Sequence, residues 1–316
     1  MTRVLAVLGM LSILAACGTP EVSEQAQSGQ ADSAGGEPTS EAVAVTAAAE
    51  PPYVQLLAVG DIASCDSEGD EKVAAVAKAN PGRIALLGDI VYPSSTTRAY
   101  RDCFNPAWGS MGPRFRPAVG NHEYYSDNAQ SYWDYFGDFS GARDRGWYAY
   151  DGGPHWRVIV LNSNCSKVGG CGPTSRQGKW LAGALQRAGD RHVMAYFHAP
   201  RFSSGQHGSN PAMAPFWQAL YRGGADVVLN GHDHMYERFV PQNPVGEFRR
   251  YGIQQFTVGT GGYKNYPFGG PPLPRTAVRQ YTTFGLLAIQ LRPGGYSWRF
   301  IPADGDFTDS GARTLR

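Results

Sequence analysis

Five short apolar runs in this chain each end on a residue able to bind a metal, and that repetition narrows the folds open to it. LLAVGD ends at Asp61, IALLGD at Asp89, RPAVGN at Asn121, VMAYFH at His198 and VVLNGH at His232, with His234 two residues beyond the last. Runs of four or five apolar residues, most of them closed by Gly, read as buried strands of the parallel type, in which both faces of the sheet are covered. In open α/β sheets ligands collect beyond the carboxyl ends of such strands. The five runs therefore predict one sheet edge where Asp and Asn oxygens meet imidazoles. That donor mixture suits one or two transition metals better than calcium, which takes oxygen almost exclusively.

Helical periodicity falls between the ligand-bearing runs, over 71–79, 97–103, 128–136, 176–187 and 212–222. In KWLAGALQRA, Trp180, Leu181, Leu185 and Ala188 share one face and read as core. Later runs, YGIQQFTVGTGG, YTTFGLLAIQL and YSWRFIPADGDF, look like strands with Gly turns and without ligands at their ends. A parallel first half and an antiparallel second half predict an α/β fold of two packed mixed β-sheets flanked by helices. The Pro/Gly-rich stretch 265–275, NYPFGGPPLPR, is either a wall of a substrate cleft or a surface excursion.

The 316 residues are 42% hydrophobic, enough for a full core, but the fold does not claim all of them. Residues 1–16 hold one charge, Arg3, and an apolar stretch from Val4 to Ala16. That stretch is too short to span a bilayer and reads as a signal peptide. Its end, Leu14-Ala15-Ala16-Cys17, resembles a bacterial lipobox, which implies a lipid on Cys17 and an extracytoplasmic protein anchored to the cell envelope. Residues 17–52 lack aromatics and read as a disordered tether. One catalytic domain is expected over 53–303, followed by a C-terminal tail, 304–316. A net charge of +1 argues against a broad footprint for nucleic acid or an anionic membrane, so binding is local. Beyond Cys17 there are Cys65, Cys103, Cys165 and Cys171. In an exported chain an even number suggests disulfides, for which four cysteines allow three connectivities. Cys165–Cys171 across the small Gly-rich loop, with Cys65–Cys103 as the remaining pair, is the favoured one. No Cys-x-x-Cys spacing supports a metal role for them instead.

Taken singly, each Asp or His at a strand end is weak. The ordered set GDIAS, GDIVY, GNHE, FHAP and GHDH is not, and it resembles the calcineurin-like metallophosphoesterases, within them the purple acid phosphatases and their bacterial relatives. Ala63 stands where many members of the wider family carry a ligand His, and Tyr92, three residues after Asp89, resembles the tyrosinate ligand of the phosphatase subgroup. The resemblance implies two metal ions: Asp61, Tyr92 and His234 on the first, Asn121, His198 and His232 on the second, and Asp89 bridging. A carboxylate and a phenolate favour Fe(III) in the first position. A neutral amide and two imidazoles suit zinc, manganese or Fe(II) in the second. Two such ions support in-line hydrolysis of a phosphoester by an activated water, and no G-x-S-x-G nucleophile motif competes with that reading. His122 resembles the family's leaving-group His and His207 another cleft His, while Glu123 and Asp233 are expected to orient neighbours. Tyr236, Glu237 and Arg238 continue the last motif and would buttress it. The expected function is an exported phosphatase acting on small phosphomonoesters. Alternatives are a diesterase on nucleotides or lipid head groups and a non-catalytic phosphate-binding surface protein.

Overall fold

The computed structural model describes residues 53–316. The signal peptide, the lipidated Cys17 and the tether expected over 1–52 lie outside the described residues. In chain order the strands begin with β1 (Val54–Val59), β2 (Ala63–Ser64), β3 (Arg83–Leu86), β4 (Val91–Tyr92) and β5 (Phe115–Pro117). Then come β6 (Tyr148–Asp151), β7 (Trp156–Val160), β8 (His192–Tyr196), β9 (Ala225–Asn230) and β10 (Tyr236–Phe239). The last are β11 (Gln254–Val258), β12 (Thr276–Gln280), β13 (Gly285–Arg292), β14 (Gly295–Pro302) and β15 (Ser310–Thr314). The helices are α1 (Gly69–Ala79), α2 (Thr97–Ala99), α3 (Asn105–Trp108), α4 (Gln130–Phe136), α5 (Arg176–Gln186) and α6 (Ala214–Arg222).

Two large sheets form, ordered β15-β14-β13-β1-β3-β5 and β12-β10-β11-β9-β8-β7-β6. Strand alternation explains why they stack. In β1, Leu56 and Ala58 face the core between the sheets, where they join Val158 and Val160 of β7 and Val227 and Leu229 of β9. The intervening Leu57 and Val59 face outward onto Val73, Ala74 and Ala77 of α1. The second sheet repeats the scheme, with Ile159 turned toward Leu181 of α5 and Phe216, Trp217 and Leu220 of α6. Strands apolar on both faces thus need a layer on each side, and the result is helix, sheet, sheet, helix.

Several expectations are corrected. The late strands do not form an antiparallel half of their own. β13 pairs antiparallel with β1 in the first sheet, whereas β11 pairs parallel with β9 in the second. Apolar runs without ligand ends carry no signal of direction, and only the chain's crossings set it. The helix expected over 97–103 forms and runs on to Trp108, with a wider π-helical turn at Tyr100–Phe104 between α2 and α3. β12 was concealed by the Pro-rich stretch before it.

The tail expected over 304–316 is also structure. β15 pairs with β14 through Gly295↔Thr314 to Arg299↔Ser310. Ahead of it, the buried Asp309 carboxylate accepts hydrogen bonds from Tyr236 Oη (2.6 Å), Arg238 Nε (2.7 Å) and Trp298 Nε1 (3.2 Å). The alternating small and polar residues of 310–314 are those of an edge strand, and they look like a tail because one face is solvated. Asp309→Ala would leave a buried guanidinium, phenol and indole without their acceptor. We expect a loss of about 3 kcal/mol in urea unfolding, and an unchanged midpoint would show the anchor to be dispensable.

Candidate metal centre

The carboxyl ends of β1, β3, β5, β8 and β9 meet at one edge, as their sequences require. Beyond β1 and β3 the two chains stay paired through the ligands themselves: Asp61 N donates to Gly88 O, Ile62 N to Asp89 O and Ala63 N to Ile90 O, at 3.0–3.1 Å. The short parallel pair β2–β4 continues this zipper to Tyr92. Asp61 (φ 61°), Asp89 (φ 51°) and His232 (φ 75°) all occupy the left-handed region. Each such residue costs about 1–3 kcal/mol and persists only where its surroundings impose it. Here the imposing groups are visible. His232 N donates to Asp61 Oδ2 at 2.8 Å, and His122 N donates to Asp89 Oδ1 at 2.9 Å. Close approach also requires glycine at Gly120, where a Cβ would sit 2.1 Å from Asp89 Oδ1.

Two donor clusters share Asp89. In the first, Tyr92 Oη lies 2.8 Å from Asp61 Oδ1 and 3.0 Å from His234 Nε2, and His234 Nε2 is 3.4 Å from Asp61 Oδ1. In the second, His198 Nε2 is 3.1 Å from Asp89 Oδ2 and 3.2 Å from His232 Nδ1. Asp89 Oδ2 also accepts from Tyr92 Oη at 3.1 Å, which ties the clusters together. Asn121 follows β5 directly after Gly120, and its amide nitrogen donates to Tyr125 Oη at 2.9 Å.

The chemistry of this set fits a pair of cations. His198 and His234 each turn Nδ1 to a backbone carbonyl, Leu87 O and Lys264 O, both at 2.9 Å. That hydrogen bond fixes the tautomer and frees Nε2 as a ligand. Burial opposes charge on Asp61, but His234 and then His198 hold its carboxyl below the usual range. Burial likewise opposes charge on Asp89, and the neighbouring His198 outweighs it and keeps Asp89 well below that range. Against its own burial, His198 is raised to about 10 by Asp89, so a proton takes up the charge balance between them. Burial and then the His198 charge push His232 down to about 3, which keeps its lone pair available. Tyr92 is driven well above its ordinary value by burial and by Asp61 and Asp89. It stays a phenol unless a cation displaces its proton.

His122 and His207, the expected rim groups, border the same cleft. The His122 ring packs on Tyr92 at 4.3 Å, its Nδ1 meets Pro93 O at 2.6 Å, and its Nε2 faces Asp89 Oδ2 at 3.8 Å. His207 is exposed and stacks on His232 at 4.6 Å. Asp233 holds that loop by accepting from His207 N (2.7 Å) and from Ser203 Oγ. Glu237 supports it as well, accepting from Ser204 N and Oγ. Among the described residues the four cysteines form Cys65–Cys103 and Cys165–Cys171, so none is a ligand.

Two cleft residues escaped sequence reasoning. Tyr263 stacks on Tyr92 at 3.8 Å and Tyr266 on His234 at 4.2 Å, both nearly parallel. They follow β11, another parallel strand with a Gly-rich end, and that was the available signal. The start of the 265–275 stretch therefore lines the cleft.

A calcineurin-like phosphoesterase family model matches residues 54–236, more than half of the chain. The chain belongs to the calcineurin-like phosphoesterases. This phosphoesterase is 27% identical over 226 aligned residues to Purple acid phosphatase 18 of Arabidopsis thaliana, covering 61% of this chain and 48% of that protein. It thus spans about half the length of the curated relative it matches. Its fold is that of a purple acid phosphatase, PPD1, from yellow lupin (Lupinus luteus) seeds, at TM-score 0.70 and 16% identity over 84% of this chain and 54% of that one. It is also that of GAP50, the anchor in the inner membrane complex of Plasmodium, at TM-score 0.67 and 14% identity over 84% and 89%.

Glu123 is the residue that holds the phosphoesterase centre from behind. Fully buried, it accepts from Asp89 N (2.9 Å), Ile90 N (2.8 Å), Gly120 N (2.6 Å) and Ser95 Oγ (2.8 Å). Burial and the Asp89 charge push its carboxyl up to about 7, against the pull of these donors. In Glu123→Gln the amide NH₂ must face at least one backbone N–H whichever way it turns. We expect a stability loss of about 2 kcal/mol and metal affinity 10–100-fold weaker by calorimetric titration. Wild-type values in both measurements would refute the bracing role.

Proposed function

We propose that this phosphoesterase is a dinuclear-metal phosphatase of the purple acid phosphatase type, hydrolysing small phosphomonoesters outside the cytoplasm. The observation that carries this reading is the merging of two donor clusters through one carboxylate, Asp89 Oδ2, within hydrogen-bond distance of both Tyr92 and His198. Asp61, Tyr92 and His234 would hold one ion, Fe(III), and Asn121, His198 and His232 a divalent zinc, manganese or iron, with Asp89 between. Bound there, the pair supplies Lewis-acid polarisation of the phosphoryl group and a hydroxide at ordinary pH. The chain's own groups do the rest. With Nδ1 held by Pro93 O, His122 presents Nε2 to the cleft, where its imidazolium form can hand a proton to the departing alkoxide. Exposed at the mouth, His207 is placed to meet the phosphate or the group attached to it.

Two disulfides favour an oxidising compartment, and with the signal-like leader and Cys17 they support an exported, lipid-anchored protein. Among the described residues no helix is long and apolar enough to cross a membrane, in keeping with anchoring by a lipid. On this reading residues 53–316 form the catalytic domain.

Metal-loaded full-length protein should release phosphate from an aryl monophosphate faster than it cleaves the bis-aryl diester. The reverse ranking would make it a diesterase, and no release a binding protein. His122→Asn should slow alkyl phosphates by about 10²–10⁴-fold while activated aryl phosphates suffer much less. Equal losses would place His122 in phosphate binding. The metal assignment has an optical test. Oxidised iron-loaded protein should be coloured by phenolate-to-Fe(III) charge transfer, which a filled-shell zinc ion cannot give. The band should vanish in Tyr92→Phe, and a persistent band would remove Tyr92 from the ligand set.

A further inference from the structure

The edge of the molecule opposite the metal centre carries a feature that phosphoester hydrolysis does not use. β1 and β11 deliver their carboxyl ends to the cleft, so their amino ends lie at the far edge, about 20 Å away for a six-residue strand. The turn between β10 and β11 projects there. On it Val245, Phe248 and Tyr251 are 73%, 49% and 46% exposed, three of the six large exposed hydrophobics among the described residues. Arg249 and Arg250 stand between the two aromatic residues and are exposed. The end of the chain adds two more arginines. Arg316 stacks over the Tyr251 ring at 3.6 Å, and Arg313 Nη2 donates to Arg250 O at 2.9 Å. Glu247, paired with Arg249 at 2.8 Å, is the one acidic residue on this turn.

Continuity at this edge links the turn to the place where the tether joins. Val54 pairs with Leu291 and Gly295 with Thr314, so the β13–β14 turn lies beside both Tyr53 and the C-terminal strand. Arg292 stacks over Tyr53 at 5.1 Å, and Leu315 N donates to Gly294 O at 2.9 Å. Tyr53 is itself 44% exposed. The 35 residues between Cys17 and Tyr53 enter the domain here, at the end remote from the cleft.

We infer that this aromatic and arginine-rich edge docks on an anionic phospholipid surface, turning the metal cleft away from the membrane. Exposed aromatic rings seat at the headgroup level, and arginines near an anionic leaflet add to the attraction. A lipid on Cys17 would hold the chain to the membrane without orienting the domain, and an interfacial contact adds the orientation. The patch is local, so the chain's near-zero net charge does not oppose it. This inference rests on reading Cys17 as the lipid-bearing residue, and the test separates the two.

Full-length Cys17→Ser protein, which has no residue for the acyl chain, is floated with vesicles of phosphatidylcholine alone or of phosphatidylcholine with phosphatidylglycerol. The same chain with Arg249→Ser and Arg250→Ser, and another with Phe248→Ser, are compared with it. The leader is common to all three, so it cannot account for a difference between them. The parent should prefer the phosphatidylglycerol vesicles and be released by salt. The double arginine variant should bind about 25-fold more weakly, about fivefold for each arginine, and Phe248→Ser should also weaken binding. Phosphate release from an aryl monophosphate, measured in the same samples, should be unchanged and so report an intact fold. Equal binding to both vesicle types, or equal binding by the parent and the arginine variant, would overturn the inference. Mass spectrometry of the native protein for a lipid on Cys17 tests the anchor independently.

Discussion

The metal centre depends on a buried carboxylate that never touches the cleft. Glu123 gathers the amides of Asp89, Ile90 and Gly120 onto two oxygens, and so clamps the ends of β3 and β5 together. The end of β3 turns sharply through Gly88 and Asp89, both in left-handed conformations, and a turn of that kind leaves amides pointing inward with no strand partner. A carboxyl group, with two oxygens and several lone pairs, can take several of them at once. Remove it and the amides of Asp89, Ile90 and Gly120 lose their acceptor.

From that clamp the other features follow in sequence. Pairing between the Asp61 and Asp89 loops sets the distance between the two carboxylates, and His232 N on Asp61 Oδ2 brings in the end of β9. His198 and His234 are then aimed by backbone carbonyls, while Tyr92 and His234 are held face to face with Tyr263 and Tyr266. The outcome is a dense set of acceptors and titrating groups in a site sealed from water on its inner side. Such a set is costly without cations, because burial penalises every charge in it and only proton sharing such as that of His198 with Asp89 relieves the cost.

Polarity along the strands divides the molecule into two ends with different tasks. Parallel strands bring all their carboxyl ends, and hence the chemistry, to one edge. The opposite edge is left to turns and to the two ends of the domain, where exposed aromatics and arginines accumulate.

What the sequence determined by itself was local. Apolar runs ending in Gly-Asp, Gly-Asn or Gly-His specify buried strands and place donors at their ends, and Ala63 with Tyr92 carries the resemblance to the purple acid phosphatases. Uninterrupted apolar runs such as LLAVG and IALLG already imply a layer on each side. The cysteine pairing could be anticipated because one loop is short. Tertiary structure alone decided the long-range matters. The direction of β11, the use of 310–314 as an edge strand and the burial of Asp309 under Tyr236 all depend on neighbours remote in sequence. The Tyr263 and Tyr266 stacks arise where the β11 turn closes over a site assembled by other strands. Side chains of that kind carry no periodic signature, because their environment is supplied by packing and not by their own segment.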